Sequence, residues 1–172
     1  LYISENPKAG LDLGVVFLEN TVRMLNENGR FGIVLSNSIA SNKSFQFARN
    51  WLLKKTRVVA IIDLPQNIFA ETGVNTTIII GYKPKNDELQ KLVDNNYKVF
   101  CREVNNVGYV KKTSKRNVYF ETQYMLNEET FETITNEEGE SITNEDFSQI
   151  ITDFKEWCLF QETPLKKIFL DK

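Results

Sequence analysis

Apolar positions in the first eighty residues alternate between helical and strand-like spacing. Val15, Leu18, Val22 and Leu25 recur every three or four residues, with Phe17 and Met24 widening the stripe. They predict a helix from about Leu13 to Glu27, closed by Asn28-Gly29 as a left-handed C-cap. Phe31-Gly32-Ile33-Val34-Leu35 is then nearly all apolar, the pattern of a strand buried on both faces of a parallel sheet. Ser36 to Asn42 reads as a polar loop. Phe45, Ala48, Trp51 and Leu52 predict a second helix, with Arg49 and Lys54 on its wet side and Lys54-Lys55 near its negative end. Val58 to Ile62 is a second buried strand, so strand, crossover helix and strand form a right-handed βαβ unit. Turn signals from Asp63 to Asn67 precede a third strand, Thr76 to Tyr82. The connection into it contains no crossover helix, which makes that strand antiparallel.

Polar and charged residues become commoner after Pro84-Lys85-Asn86-Asp87, and a boundary is placed there, dividing the chain into 1–85 and 86–172. The second part predicts a short helix near Glu88 to Val93, a strand near Lys98 to Val104 and a turn at Asn105 to Gly108. Acidic residues cluster from Glu128 to Glu145 as a solvated surface. Phe147, Ile150, Ile151, Phe154 and Trp157 share one face of a C-terminal amphipathic helix, and Thr143 with Asp146 resembles a capping box. That aromatic stripe either packs on the chain's own core or docks a partner.

Composition narrows the class. The chain has 172 residues, 41% hydrophobic and 26% charged, which suits an ordinary globular protein of one domain, or of a domain with an appendage. No run approaches the roughly 18 apolar residues of a membrane-spanning helix. An opening of Leu1-Tyr2-Ile3, without Met or signal peptide, reads as an excised fragment. With no histidine and only Cys101 and Cys158, zinc sites and Ser-His or Cys-His nucleophiles are not expected. Both cysteines read as buried and unpaired, as in a reducing cytoplasm, with a disulfide between them as the alternative. A net charge of −2 argues against autonomous DNA binding.

One stretch is specific. Val16-Phe17-Leu18-Glu19, then Leu25 to Leu35 with Gly29-Arg30-Phe31-Gly32-Ile33, then Arg49-Asn50-Trp51-Leu52, keep a fixed order before Ile61-Ile62-Asp63-Leu64-Pro65, Ile68-Phe69 and Gly73-Val74-Asn75-Thr76-Thr77. This string resembles the C-terminal half of the catalytic domain of N6-adenine DNA methyltransferases, of the kind that forms the methylation (M) subunit of type I restriction-modification systems. Ser36 stands where that family has proline. More loosely, Val104 to Tyr109 resembles the region beyond the family's catalytic core.

The resemblance implies an open, doubly wound α/β methyltransferase-type sheet, mostly parallel with one antiparallel strand, followed by a smaller α+β tail. It implies a site-specific adenine methyltransferase using S-adenosyl-L-methionine on DNA, with specificity and restriction subunits as partners, in the cytoplasm. The family's Asn-Pro-Pro-aromatic motif and glycine-rich cofactor loop are not in this chain, so catalytic and cofactor residues are expected upstream and the fragment alone is expected to be inactive. Asn6-Pro7 lacks the second proline and the aromatic, and reads as a loop entering the first helix. The resemblance carries one role to this chain: Phe69 as the aromatic that stacks on the flipped adenine. Against this stands Phe69 as a core anchor of its loop, a part that Ile68 could equally play. Asn75 and Thr76 read as turn and strand-start residues. The competing function is a noncatalytic α/β module that docks a partner through its C-terminal helix. Pro164-Leu165-Lys166-Lys167-Ile168 leaves open a continuation into a fused specificity domain.

Overall fold

Asp12 starts the first helix by accepting a hydrogen bond at Oδ1 from the Val15 amide, 3.1 Å away. The computed structural model describes residues 12–66, 68–115 and 117–171. Helix α1 (Leu13–Met24) buries Val15, Leu18 and Val22, and it ends earlier than its apolar period suggests. Leu25 is already extended, and its carbonyl accepts from the Lys83 ammonium at 3.0 Å. Asn28 does take the left-handed conformation, with φ 61°, but not as a helix cap. Its amide donates to the Lys83 carbonyl, and the Lys83 amide donates to Gly29, which extends the following ladder instead.

Strand β1 (Arg30–Ser36) is followed by α2 (Asn37–Ser41), a single helical turn where a loop was expected. A short 3₁₀ turn leads into α3 (Gln46–Lys55), then strands β2 (Arg57–Leu64) and β3 (Thr76–Tyr82). Arg49 is not simply wet. One guanidinium nitrogen donates to both the Ile39 and Asn42 carbonyls at 2.8 Å, stapling the end of α2 to α3.

The main sheet has the order β1-β3-β2-β4, where β4 spans Phe100–Glu103. Strand β3 is antiparallel to both neighbours, as the missing crossover helix requires, and pairs along its whole length with β1 from Arg30↔Tyr82 to Ser36↔Thr76. Strand β4 adds parallel to β2 through Ala60↔Phe100. The architecture is mixed α/β, with three strands sharing one direction and β3 opposing them.

Helices cover both faces. Val15, Leu18, Val22 of α1 and Ala48, Leu52 of α3 pack on Phe31, Leu35, Val58 and Ile79. On the opposite face, Ile150 of α5 (Phe147–Leu159) packs with Ala60, Ile62 and Phe100. The aromatic stripe of α5 is therefore spent on the chain's own core: Phe154 and Trp157 lie 5.4 and 5.7 Å from the Phe100 ring. Strand β1, expected to be buried on both faces, is an edge strand among the described residues, and Val34 is 50% exposed.

The tail is fastened by polar groups as well. Arg57, fully buried, pairs with Glu162 at 2.8 Å and lies over the Tyr97 ring at 4.5 Å. Helix α4 (Asn86–Asp94) precedes β4, and a final helix, α6 (Thr163–Phe169), unforeseen in the sequence, buries Leu165. The expected capping box at α5 is absent. Asp146 instead turns its carboxylate to the Asn105 and Asn106 amides at 2.7 and 2.9 Å, and Glu145 accepts from the Ser148 amide.

Strands β5 (Tyr109–Ser114) and β6 (Asn117–Thr122) form a separate antiparallel hairpin, Tyr109↔Thr122 to Ser114↔Asn117. Single bridges, Tyr124↔Thr143 and Thr135↔Ser141 among them, carry the ribbon into the exposed acidic stretch.

Candidate functional site

Strands β1 and β2 run in the same direction and end on the same side of the sheet, the side where α/β proteins bind ligands. Four side chains lock that edge together. Thr77, fully buried at the start of β3, donates its hydroxyl to Asp63 Oδ1 at 2.7 Å. Asn37, the first residue after β1, donates its side-chain amide to Thr77 Oγ1 at 3.1 Å, and its backbone amide bonds the Asn75 carbonyl at 2.8 Å. Ser41 closes the set by donating to Asn37 Oδ1 at 2.9 Å. The donors and acceptors form a chain, Ser41 to Asn37 to Thr77 to Asp63, that fixes the ends of β1, β2 and β3 relative to one another.

Sequence reasoning placed Asn37 in a loop and Asp63 in a turn, and so missed this network. No local motif marks it, because Asn37, Asp63 and Thr77 lie 14 to 40 residues apart. Asn75 and Thr76 sit as expected, just before and at the start of β3.

Above this edge runs the connection from Pro65 to Asn75. Its two apolar neighbours are sorted by burial: Ile68 is 8% exposed in the cluster with Leu64, Phe100 and Val104, whereas Phe69 is 39% exposed. The anchor of the loop is Ile68. Both backbone carbonyls are held from the hairpin side, Ile68 by the Tyr109 hydroxyl at 3.0 Å and Phe69 by the Lys111 ammonium at 2.9 Å. A cleft of about 230 Å³ lies between this loop and the hairpin base, lined in part by Gln66, Asn106, Tyr109 and Lys111. A second, wider groove of about 680 Å³ runs along the free edge of β1 past Leu13, Phe17, Val34 and Ser36.

Asn6-Pro7 and Asn67 lie outside the described residues. No cluster of three or more metal-ligating side chains occurs among the described residues, and none of their helices is long and apolar enough to cross a membrane. Cys158 is buried and unpaired as expected, but Cys101 is exposed, because alternation along β4 turns it away from the Phe100 face that packs on α5.

The sequence matches the family model for N-6 DNA methylases over residues 4–164. The chain belongs to that family. Its string from Ile61 to Thr77 forms the end of β2, the Phe69 loop and the start of β3, at the sheet's carboxyl edge. Among solved structures, the M protein of the type I restriction enzyme EcoKI is similar at 22% identity over 44% of this chain and 16% of that one, with a TM-score of 0.41. The modification subunit of a putative type I restriction enzyme from Vibrio vulnificus YJ016 is similar at 16% identity, over 80% of this chain and 32% of that one, at 0.40. A putative class I S-adenosylmethionine-dependent methyltransferase from Listeria monocytogenes follows at 16% identity, 52% and 26% coverage and 0.39. This chain thus spans between 16% and 32% of the length of these proteins.

Proposed function

We propose that this chain is the C-terminal part of the catalytic domain, residues 1–85, with the tail 86–172, of a site-specific DNA adenine-N6 methyltransferase. The parent is the M subunit of a type I restriction-modification system. It acts in the cytoplasm with specificity and restriction subunits, and transfers a methyl group from S-adenosyl-L-methionine to adenine in duplex DNA. Membership of the N-6 DNA methylase family supports the reaction class. The observation that carries the site is the division of labour between Ile68, which anchors the loop, and Phe69, which leaves its ring exposed beside the carboxyl edge of the sheet.

The exocyclic amine of adenine is a weak nucleophile inside a base stack, so the enzyme must extrude it and hold it flat. An exposed aromatic ring on a loop fixed at both carbonyls offers that surface, since base–aromatic stacking contributes about 1–3 kcal/mol. Phe69 is assigned this role. Asn37, Thr77 and Asp63 keep the edge beneath it rigid and are positioning residues.

The described residues do not fit S-adenosyl-L-methionine. Strand β1 runs directly into α2 at Asn37 and β2 into Pro65-Gln66, neither a glycine-rich loop, while Gly14 lies in α1 and Gly32 and Gly81 lie within strands. We read the cofactor pocket and the groups that accept the adenine amino hydrogens as lying upstream. The unpaired edge of β1, with Val34 and Phe17 exposed along it, supports a further strand completing the sheet there.

The noncatalytic reading needs the aromatic face of α5 free, and that face packs on Phe100. The deciding experiment is to express the full reading frame and assay methyl transfer to DNA by mass spectrometry of the nucleosides. N6-methyladenine is the expected product. No methylated base, or a methylated cytosine, refutes the assignment.

A further inference from the structure

The β5–β6 hairpin differs in charge from the acidic stretch that follows it. Residues Tyr109 to Thr122 hold four cations, Lys111, Lys112, Lys115 and Arg116, against the single carboxylate of Glu121, a net +3 in a chain whose total is −2. The remaining residues together carry −5, and from Gln123 to Asp146 there is no lysine or arginine at all. The hairpin sets a small positive field beside a negative one.

Geometry ties this field to the Phe69 loop. In the hairpin, Lys111 faces Phe120 and Lys112 faces Tyr119 across the strands. One face, with Tyr109, Lys111 and Phe120, turns toward the loop: the Tyr109 hydroxyl bonds the Ile68 carbonyl, Lys111 bonds the Phe69 carbonyl, and the Tyr109 and Phe120 rings meet edge to face at 5.0 Å. The other face presents Lys112 and Tyr119 to solvent, and Lys115 stands exposed in the turn with φ 56°. Arg116 lies outside the described residues. Lys112 has one competitor, Glu121 at 3.2 Å, and both partners are about half exposed, so this pair is weakly held and easily exchanged.

We infer that the β5–β6 hairpin is a DNA-backbone contact surface, in which Lys112 and Lys115 meet phosphates of the duplex whose adenine Phe69 receives. The inference rests on the methyltransferase reading for the identity of its ligand, and on charge complementarity for the contact itself. Tyr109 and Lys111 fix the base of the hairpin to the Phe69 loop, so Lys112 and Lys115 lie one and four residues beyond a side chain bonded to that loop. The acidic stretch beyond Gln123 repels the duplex and confines it to the hairpin side.

The test uses the chain itself and the full-length protein with a duplex oligonucleotide. In a low-salt titration of the isotope-labelled chain, amide resonances of residues 109–122 and 66–75 should shift, while those of α1 and α6 should not. In the full-length protein, Lys112→Gln/Lys115→Gln should lower the slope of log affinity against log salt by about 1.8, since each phosphate contact contributes about 0.9. Lys112→Arg/Lys115→Arg should restore it, and Glu121→Gln should tighten binding by freeing Lys112. An undisturbed hairpin in the titration, or an unchanged salt slope in the double glutamine variant with a wild-type melting temperature, overturns the inference. DNA contact through the hairpin in a full-length protein that transfers no methyl group would uphold it and remove the reading of the reaction. Methyl transfer with an unchanged slope would do the reverse.

Discussion

Ile68 and Phe69 are adjacent in sequence and opposite in environment: Ile68 sits in the core beside Leu64 and Phe100, and Phe69 turns its ring outward while Lys111 holds its carbonyl. This separation lets the two roles be tested apart. In the full-length protein, Phe69→Ala should slow single-turnover methylation by about ten- to a hundredfold, the loss of roughly 1–3 kcal/mol of stacking. Its melting temperature should hardly move, because a partly exposed side chain contributes about 1 kcal/mol or less. Phe69→Trp keeps a π-face and should retain most of the rate. Ile68→Ala should cost about 2–5 kcal/mol of stability in a chemical melt. A Phe69→Ala variant that melts well below wild type yet methylates normally when folded would reverse the assignment.

This chain alone should not methylate DNA, and its dissociation constant for S-adenosyl-L-methionine should be millimolar or weaker, about −4 kcal/mol of binding. Isothermal calorimetry measures this directly. A micromolar constant would mean that residues described here do build the pocket.

The two thiols should behave differently. Burial pushes the Cys158 thiol up to about 11, so it stays protonated at any ordinary pH, whereas Cys101 is exposed on β4. A colorimetric thiol titration of the native chain near pH 8 should count one group promptly and the second only after denaturant is added. Prompt reaction of both would show that the contact between α5, α6 and the sheet opens readily.

Strong acid should loosen the base of the hairpin. The Asn106 amide, with the Asn105 amide and the Asn106 side chain, holds the Asp146 carboxyl below its usual value of 3.8. A depressed carboxylate stabilises the folded state above its ordinary pKa and loses that contribution as pH falls through the lower, folded value. Stability should therefore be level from neutral pH down to about 4 and decline below it. Asp146→Asn should lower stability at neutral pH by about 1–2 kcal/mol and flatten the acid limb, as followed by circular dichroism. A variant with the wild-type acid profile would assign the decline to other carboxylates.

Periodicity read the core elements well because their burial repeats locally: β3 has its expected bounds, and the βαβ unit and the apolar face of α5 are where Phe31 to Ile62 and Phe147 to Trp157 place them. What sequence missed depends on distant partners. The exposure of one face of β1 follows from its edge position, which no residue between Arg30 and Ser36 encodes. Helix α6 is short and wins its place through Leu165, Phe169 and the Arg57–Glu162 pair, 105 residues apart. At the candidate site, Phe69 was legible only through family resemblance. Its exposure, and the contacts of Tyr109 and Lys111 that fix its loop, required the fold. The hairpin's charge was written in Lys111 to Arg116 and was obscured by the negative total of the chain.

Strand β3 lies between β1 and β2, which share a direction but never touch. During synthesis both parallel strands are therefore made before anything exists that can join them, and each waits with open amide and carbonyl groups until Tyr82 has left the ribosome. The central strand of the finished sheet is the last of the three to be made. Strand β3 can pair locally with β2 from Leu64↔Thr76, whereas pairing Arg30 with Tyr82 closes a loop of some fifty residues. A nascent or truncated chain that stops short of Tyr82 leaves the edges of β1 and β2 that β3 would join unpaired, a form prone to aggregation.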